Sequence, residues 1–443
     1  MTATGGRTAA PQDPDRERET TVRETPANPG ADPGATARTG AGGSATRDDA
    51  AGGTTTATAV TPAGGVTLAA WSGPDAGADR RADRDAAPIR TGKRLHPADE
   101  AAAVATIRGA RLRVKARTTA VVLVLSAAVT AAFALAVGYG DMVVPLPDLI
   151  AILTGGGSGG PRFVVMELRL PRALLALTVG IAFGLAGAVF QTLLRNPLAS
   201  PDVIGISAGA SATAVTATLT FGVSGFALSL SALGGAFVTA ALIYGLAWRQ
   251  GVSGYRLVLV GIGIAAGLAS VISYQLTSSR VTEAQSALVW LTGSLNGRSW
   301  DQFVPLAISL VVLLPLTALV ASRLRALQLG DDAAGGLGVR VEAARLALIA
   351  CGVALAGVAT AAAGPVAFVA FVSAPIARRL LPGRGAALVP AALVGALIVL
   401  LADFAAQHLI SSVQLPVGVA TSIIGAPYLL WLLARNNKEG SGG

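Results

Sequence analysis

The sequence predicts an all-α integral membrane protein with about ten transmembrane helices and both termini in the cytoplasm. Three observations carry that reading. Of 443 residues, 52% are hydrophobic and only 13% charged, with a mean hydropathy of +0.61, whereas a soluble domain carries about a quarter charged residues. Beyond Thr118, apolar stretches recur at lengths that suit a bilayer span of roughly 20 residues. Arginine collects in alternate connections between those stretches, the pattern that sets orientation.

Residues 1–115 come first. They are rich in Ala, Gly, Thr, Pro, Asp and Arg, and Trp71 is their one aromatic residue. Such a segment buries too little apolar area to offset its ordering entropy, so it reads as a disordered cytoplasmic tail. No apolar core follows the initiator within the first 30 residues, which argues against a signal peptide. The membrane domain follows at 116–435, and 436–443 reads as a short cytoplasmic tail.

Ten spans are expected at 118–138, 170–193, 203–221, 227–247, 256–276, 303–322, 345–363, 365–380, 386–405 and 416–433. The eighth is short and interrupted by Pro375, so it reads as a broken helix or a partial span. Arg108, Arg111, Arg113, Lys115 and Arg117 stand just before the first span and hold the N-terminal side inside. Alternation then places Arg195 and the 249–256, 323–345 and 378–384 loops inside, together with Arg435 and Lys438. The outside loops 222–226 and 406–415 contain no Lys or Arg. Arg162, Arg169, Arg172, Arg280 and Arg298 are the exceptions on the outside.

The charge balance excludes several functions. Residues 1–100 carry 12 Lys/Arg and 14 Asp/Glu, whereas 101–443 carry 22 and 11. The basic excess is therefore spread between apolar stretches and does not form the single soluble face that nucleic acid requires. Cys351 is the only cysteine, and His96 and His408 are the only histidines. That inventory leaves no intrachain disulfide, no metal site and no implied cofactor. No GxxxxGK[ST] loop is present, and the Gly155–Gly160 run lacks the following Lys. Any ATP hydrolysis must come from another subunit.

The most informative stretch is LRLPRALLALTVGIAFGLAGAVFQTLLRNPLASPDVIGISAGA, at 168–210. Arg169 and Arg172 mark the outer mouth of the second span, and Pro171 starts the helix where a missing N–H costs little. Headgroup snorkelling is one account of the two arginines. Gly180, Gly184 and Gly187 form a small-residue face for a close helix crossing. Gln191 lies near the inner end, and Asn196 and Pro197 close the helix before an inside turn through Pro201 and Asp202.

These residues resemble the signature of FecCD-type permeases, the membrane subunits of ATP-driven importers of ferric siderophores, haem and cobalamin. The resemblance covers RLPR at 169–172, the glycine-rich helix to Gln191, and NPLASPDVIGISAGA at 196–210. GPVAFVAFVSAPIARR at 364–379 and LPVGVATSIIGAPYLLWLL at 415–433 extend it, so that it spans roughly 118–435. It implies a type II ABC importer architecture like that of the cobalamin-importer permease.

The resemblance also implies roles. Arg169 and Arg172 would face outward and pair with acids on an extracytoplasmic siderophore-binding protein. The position of a third docking Arg in cobalamin relatives is Gln407 here. The 324–345 loop resembles the family's inside coupling segment, with Leu329, Gly330, Ala334, Leu337 and Gly338 shaping short helices for a groove on a cytoplasmic ABC ATPase dimer. Gly180, Gly184, Gly187, Gln191, Asn196, Pro197 and Asp403 would serve translocation or helix packing. Asp403 is the only carboxylate in the last five spans, and an intramembrane carboxylate is by default a functional position.

The expected function is thus the permease of a binding-protein-dependent importer, paired with a second copy or a paralogue. The endings at 414–417 and 426–431 resemble siderophore members, favouring Fe(III)–siderophore over haem or cobalamin. An ion-coupled secondary transporter is the competing class and would call for paired carboxylates within the spans. A structural scaffold is a third reading.

Overall fold

The computed structural model describes residues 97–249, 253–382, 385–409 and 414–440, all within the compact unit Gly92–Gly443. Residues 1–96 of the expected tail, Arg384 and residues 410–413 lie outside the described residues. Every regular element among those described is helical.

The first helix, α1 (Pro97–Gly138), is 42 residues long and begins 21 residues before the expected first span. The polar segment around Arg108–Arg117 continues the helix because it holds Ala, Leu, Arg and Lys, which are good helix formers. A short α2 (Leu146–Leu153) precedes α3 (Gly160–Leu193), which contains a π-helical turn at Val164–Arg169. The expected span at 203–221 divides at Gly205, whose φ is +94°, into α4 (Pro201–Ile204) and α5 (Ile206–Phe221). Three helices follow: α6 (Gly225–Ala247), α7 (Gly254–Ser278) and α8 (Val281–Leu291).

The chain then forms α9 (Trp300–Gln328), started by a capping box between Ser299 and Gln302, and the six-residue α10 (Asp331–Gly336). After α11 (Val341–Ala363), residues 364–368 are irregular and Phe368 takes a φ of +66°, so the eighth expected span shortens to α12 (Val369–Leu380). The last two helices are α13 (Leu388–His408) and α14 (Val417–Gly440), which continues past the expected end at 433.

Seven of the described helices are long and apolar enough to cross a membrane, and Ile206–Phe221 and Val417–Leu432 are shorter apolar helices. The expectation of ten spans is therefore supported for seven. Hydropathy alone does not register the positive-φ breaks at Gly205 and Phe368.

The core is built around α3 and α11, whose apolar windows are mostly buried, while α7 and α9 leave most of their surface outward. Helix α3 packs against α9, α11, α12 and α13. Phe183, Leu175, Leu355 and Leu400 are fully buried between these helices. Small residues allow that centrality: a chain of Ala and Gly lets four neighbours approach one axis. A second cluster joins α5, α6 and α7 around Ile204, Ile206 and Ile243.

Candidate functional site

The signature residues fall at the two ends of α3 and along one of its faces. At the N-terminal end, the π-helical turn carries Arg169 to the C-terminus of α1. Its guanidinium donates to the carbonyls of Val137 at 3.2 Å, Gly138 at 3.3 Å and Met142 at 2.7 Å. Val137 and Gly138 lie in the last turn of α1, where carbonyls lack an intrahelical amide and a cation meets the negative end of the helix dipole, although the Gly138 carbonyl also accepts from the Val144 amide at 2.9 Å.

Arg172 lies one turn further on and points the other way, to α13. Its Nε and Nη2 form a two-pronged contact with Asp403, at 3.0 and 2.9 Å. The pair is nearly closed off, with side-chain exposures of 14% and 4%. Gln407, one turn along α13, donates to the second oxygen of Asp403 at 2.7 Å. Arg172, Asp403 and Gln407 therefore form one cluster, and Arg169 stands apart from it. Exposed charges near Arg169 include Asp141, Arg162 and Glu167.

Between the ends, the glycine face of α3 meets two neighbours. A Cβ on Gly180 or Gly184 would overlap the carbonyls of Gly395 and Ala391 on α13, and one on Gly187 would overlap the carbonyl of Ala370 on α12. The contact with α13 is reciprocal, since Gly395 faces Gly180 with no room for a methyl either.

At the C-terminal end of α3, buried Gln191 donates to the Phe371 carbonyl at 2.9 Å and accepts from the Arg378 guanidinium. Next to it, Arg379 lies over the Trp431 ring at 4.1 Å, joining α12 to α14. Asn196 closes the turn by accepting from the Leu198 amide at 2.9 Å, and Pro197 is exposed. Arg195, at a φ of +49°, reaches the Leu327 carbonyl at 2.5 Å. That bond ties the turn after α3 to the end of α9.

The 324–345 segment is an ordered corner rather than an open loop. Gly330 and Gly338 have φ of +114° and +79°, which a side chain would strain. Ala334 is buried against Val189, Leu324 and Leu348. Leu329 and Leu337 flank α10 and are 68% and 66% exposed, an apolar pair presented outward. Arg345 braces the corner, bonding Asp331 at 2.9 Å and Glu342 at 2.7 Å.

Sequence reasoning passed over three of these residues. Arg345 and Arg378 looked like ordinary inside charges, and nothing local announces their partners. Asp202 was noted only as part of a turn. Its Oδ2 is closed off from solvent with no hydrogen-bond partner among the described residues, while Oδ1 accepts from Ser207. Burial pushes this carboxyl up to about 6, and the Ser207 hydroxyl offsets that only in part. Among the described residues, no group of three or more His, Cys, Asp or Glu could hold a metal ion.

A profile of the FecCD transport family matches residues 125–435, which takes in every cluster above. The chain belongs to the FecCD transport family. This FecCD chain is 42% identical to the ferric enterobactin transport system permease protein FepG of Escherichia coli (strain K12), over 68% of its own length and 91% of that protein. It is 40% identical to the achromobactin transport system permease protein CbrC of Dickeya dadantii (strain 3937), over 69% and 89%. The iron(3+)-hydroxamate import system permease protein FhuG of Bacillus subtilis (strain 168) is 39% identical, over 67% and 90%. Among solved structures, the chain resembles one assigned as a metal-chelate type ABC transporter in an inward-facing conformation. That match has a TM-score of 0.62 at 27% identity and covers 72% of this chain and 99% of that one. With seven helices among the described residues long and apolar enough to cross a membrane, this FecCD protein is a multi-pass protein of the cell membrane.

Proposed function

We propose that this chain is the membrane permease of an ATP-driven, binding-protein-dependent importer of Fe(III)–siderophore complexes. The observation that carries the reading is the set of relatives named for ferric enterobactin, achromobactin and iron(3+)-hydroxamate, matched over two thirds of the chain at 39–42% identity. The partners are a cytoplasmic ABC ATPase dimer that hydrolyses ATP, an extracytoplasmic siderophore-binding protein, and a second permease copy or paralogue. Both termini lie in the cytoplasm. Arg169, Arg172 and Gln407 mark the docking mouth, and the corner from Leu329 to Gly338 is the ATPase contact. Its exposed Leu329 and Leu337 suit an apolar groove, and the Arg195 bond to Leu327 links that corner to α3.

Ion-coupled transport has less support. Asp403, the deep carboxylate of the last five expected spans, is already neutralised by Arg172.

The test is reconstitution of the chain with its ATPase and binding protein in vesicles, following uptake of radiolabelled iron as a siderophore chelate. Uptake should require ATP and the binding protein; uptake that persists without ATP overturns the proposal. A narrower result concerns Arg345. Arg345→Ala should cost only about 1 kcal/mol of stability, since both acids are partly exposed. Iron uptake should nevertheless fall several-fold with docking of the binding protein unchanged, because α10 loses its brace. Unchanged uptake in this variant would remove Arg345 from the coupling corner.

A further inference from the structure

At the end of the molecule that carries Arg169, a groove of about 590 Å³ opens between α6, α8, α9 and α11. Trp300 fixes the level, because its indole N–H donates to the Met166 carbonyl at 3.1 Å, in the same turn as Arg169. The groove is two-natured. Its walls are Phe226, Leu230 and Leu233 from α6, Leu306 from α9 and Val358 from α11. Its rim holds Arg298 in the connection before α9, with Asp301 and Gln302 beside it.

Arg298 is an unusual cation for such a place. It is half-buried, and burial pushes its guanidinium down from the ordinary value. The one described hydrogen bond of its side chain runs from Nε to the Ser294 carbonyl at 3.3 Å. Among the described residues no carboxylate is close enough to form an ion pair with it, including Asp301, which instead accepts from the Ser299 hydroxyl. A guanidinium left this way has donors spare in a planar fork that matches a phosphate.

The apolar walls continue onto the outside of the protein. Leu230 is 58% exposed, and Val304 and Ile308, on the neighbouring surface of α9, are 46% and 62% exposed. From Asp301 to Ser309 the groove descends by about 12 Å at the helical rise, most of the depth of one leaflet's hydrocarbon, about 15 Å. Trp290 also lines it, a residue that favours the membrane–water interface.

We infer that this groove is a binding site for an anionic phospholipid of the adjacent leaflet, its phosphodiester held by Arg298 and one acyl chain laid along Phe226, Leu230, Leu233 and Leu306. The groove's length and apolar foot argue against a small free anion as the occupant. The proposal rests on the membrane location of the chain and stands whatever the transported substrate is.

Native mass spectrometry of the full chain in mild detergent tests it, with dioleoylphosphatidylglycerol, dioleoylphosphatidylcholine and inorganic phosphate as probes. The wild type should retain one phosphatidylglycerol about tenfold more tightly than Arg298→Gln, with Arg298→Lys between them. Ser309→Phe, which fills the apolar foot and leaves Arg298 in place, should also lose the lipid and decides the matter if Arg298→Gln does not fold. Equal retention by the wild type and the variants overturns the site. Equal retention of the two lipids, or displacement of the lipid by phosphate, overturns it as well, the latter marking a free-anion site.

Discussion

Replacing Gly187 with alanine should lower the stability of the protein by about 3 kcal/mol or more, at the upper end of overpacking effects. Ordinary overpacking is relieved by rotating a side chain. Here the added methyl would meet the Ala370 carbonyl, which is part of the α12 backbone. Relief would require α12 to move away from α3, which would also strain the Gln191 bond to Phe371, one residue along. Ala370→Gly should therefore fail to rescue the variant. Gly234→Ala is the control, because a Cβ there has nothing within 4 Å. It should be neutral or stabilising by about 0.5–1 kcal/mol, from relief of the glycine penalty in a helix. Thermal unfolding midpoints in detergent make the comparison. Equal midpoints for the two variants would mean that close approach of α3 and α12 does not hold the fold.

Arg172→Met and Asp403→Leu should each destabilise the protein by about 3–5 kcal/mol, while the double variant recovers most of the loss. Each single change leaves a charge in a nearly closed site without its partner, and the side chains there are only 14% and 4% exposed. The double change removes both charges and leaves apolar side chains of similar length. A double-mutant cycle by unfolding isolates the pair, and simple additivity would show that the two groups do not interact.

The double variant also separates two roles for Arg172. Arg172→Glu would place two carboxylates together and disturb the fold, so lost docking in that variant says little. In Arg172→Met/Asp403→Leu the fold is kept and the guanidinium is gone. Docking of the binding protein that survives there assigns Arg172 to helix pairing, and docking that fails assigns it to recognition. Arg169→Glu completes the comparison, since that residue caps α1 through backbone carbonyls rather than an acid.

Much of the candidate site was visible as residue types before it was visible as a site. Gly180, Gly184 and Gly187 recur on one helical face, and that spacing alone announces a close crossing. Gln407 could be read only as a departure from an arginine in relatives; its bond to Asp403 is a consequence of one helical turn on α13. Arg298 stood out merely as a charge on the wrong side of the membrane. The groove that gives it meaning is assembled from four helices.

What the sequence by itself determined is the solvent and the approximate place of the apolar helices, while their ends and the breaks at Gly205 and Phe368 came from the structure. Apolar length, glycine spacing and arginine placement act locally, through transfer free energy and backbone hydrogen bonding, so they can be read without knowing neighbours. The partners of the charged groups were decided only by tertiary structure. Arg172 meets Asp403 across 231 positions of chain, and Gln191 meets Arg378 across 187. No periodicity encodes those distances. They follow from the way small residues let α12 and α13 close on α3, and a buried charge in that space is stable only where the packing brings it a partner.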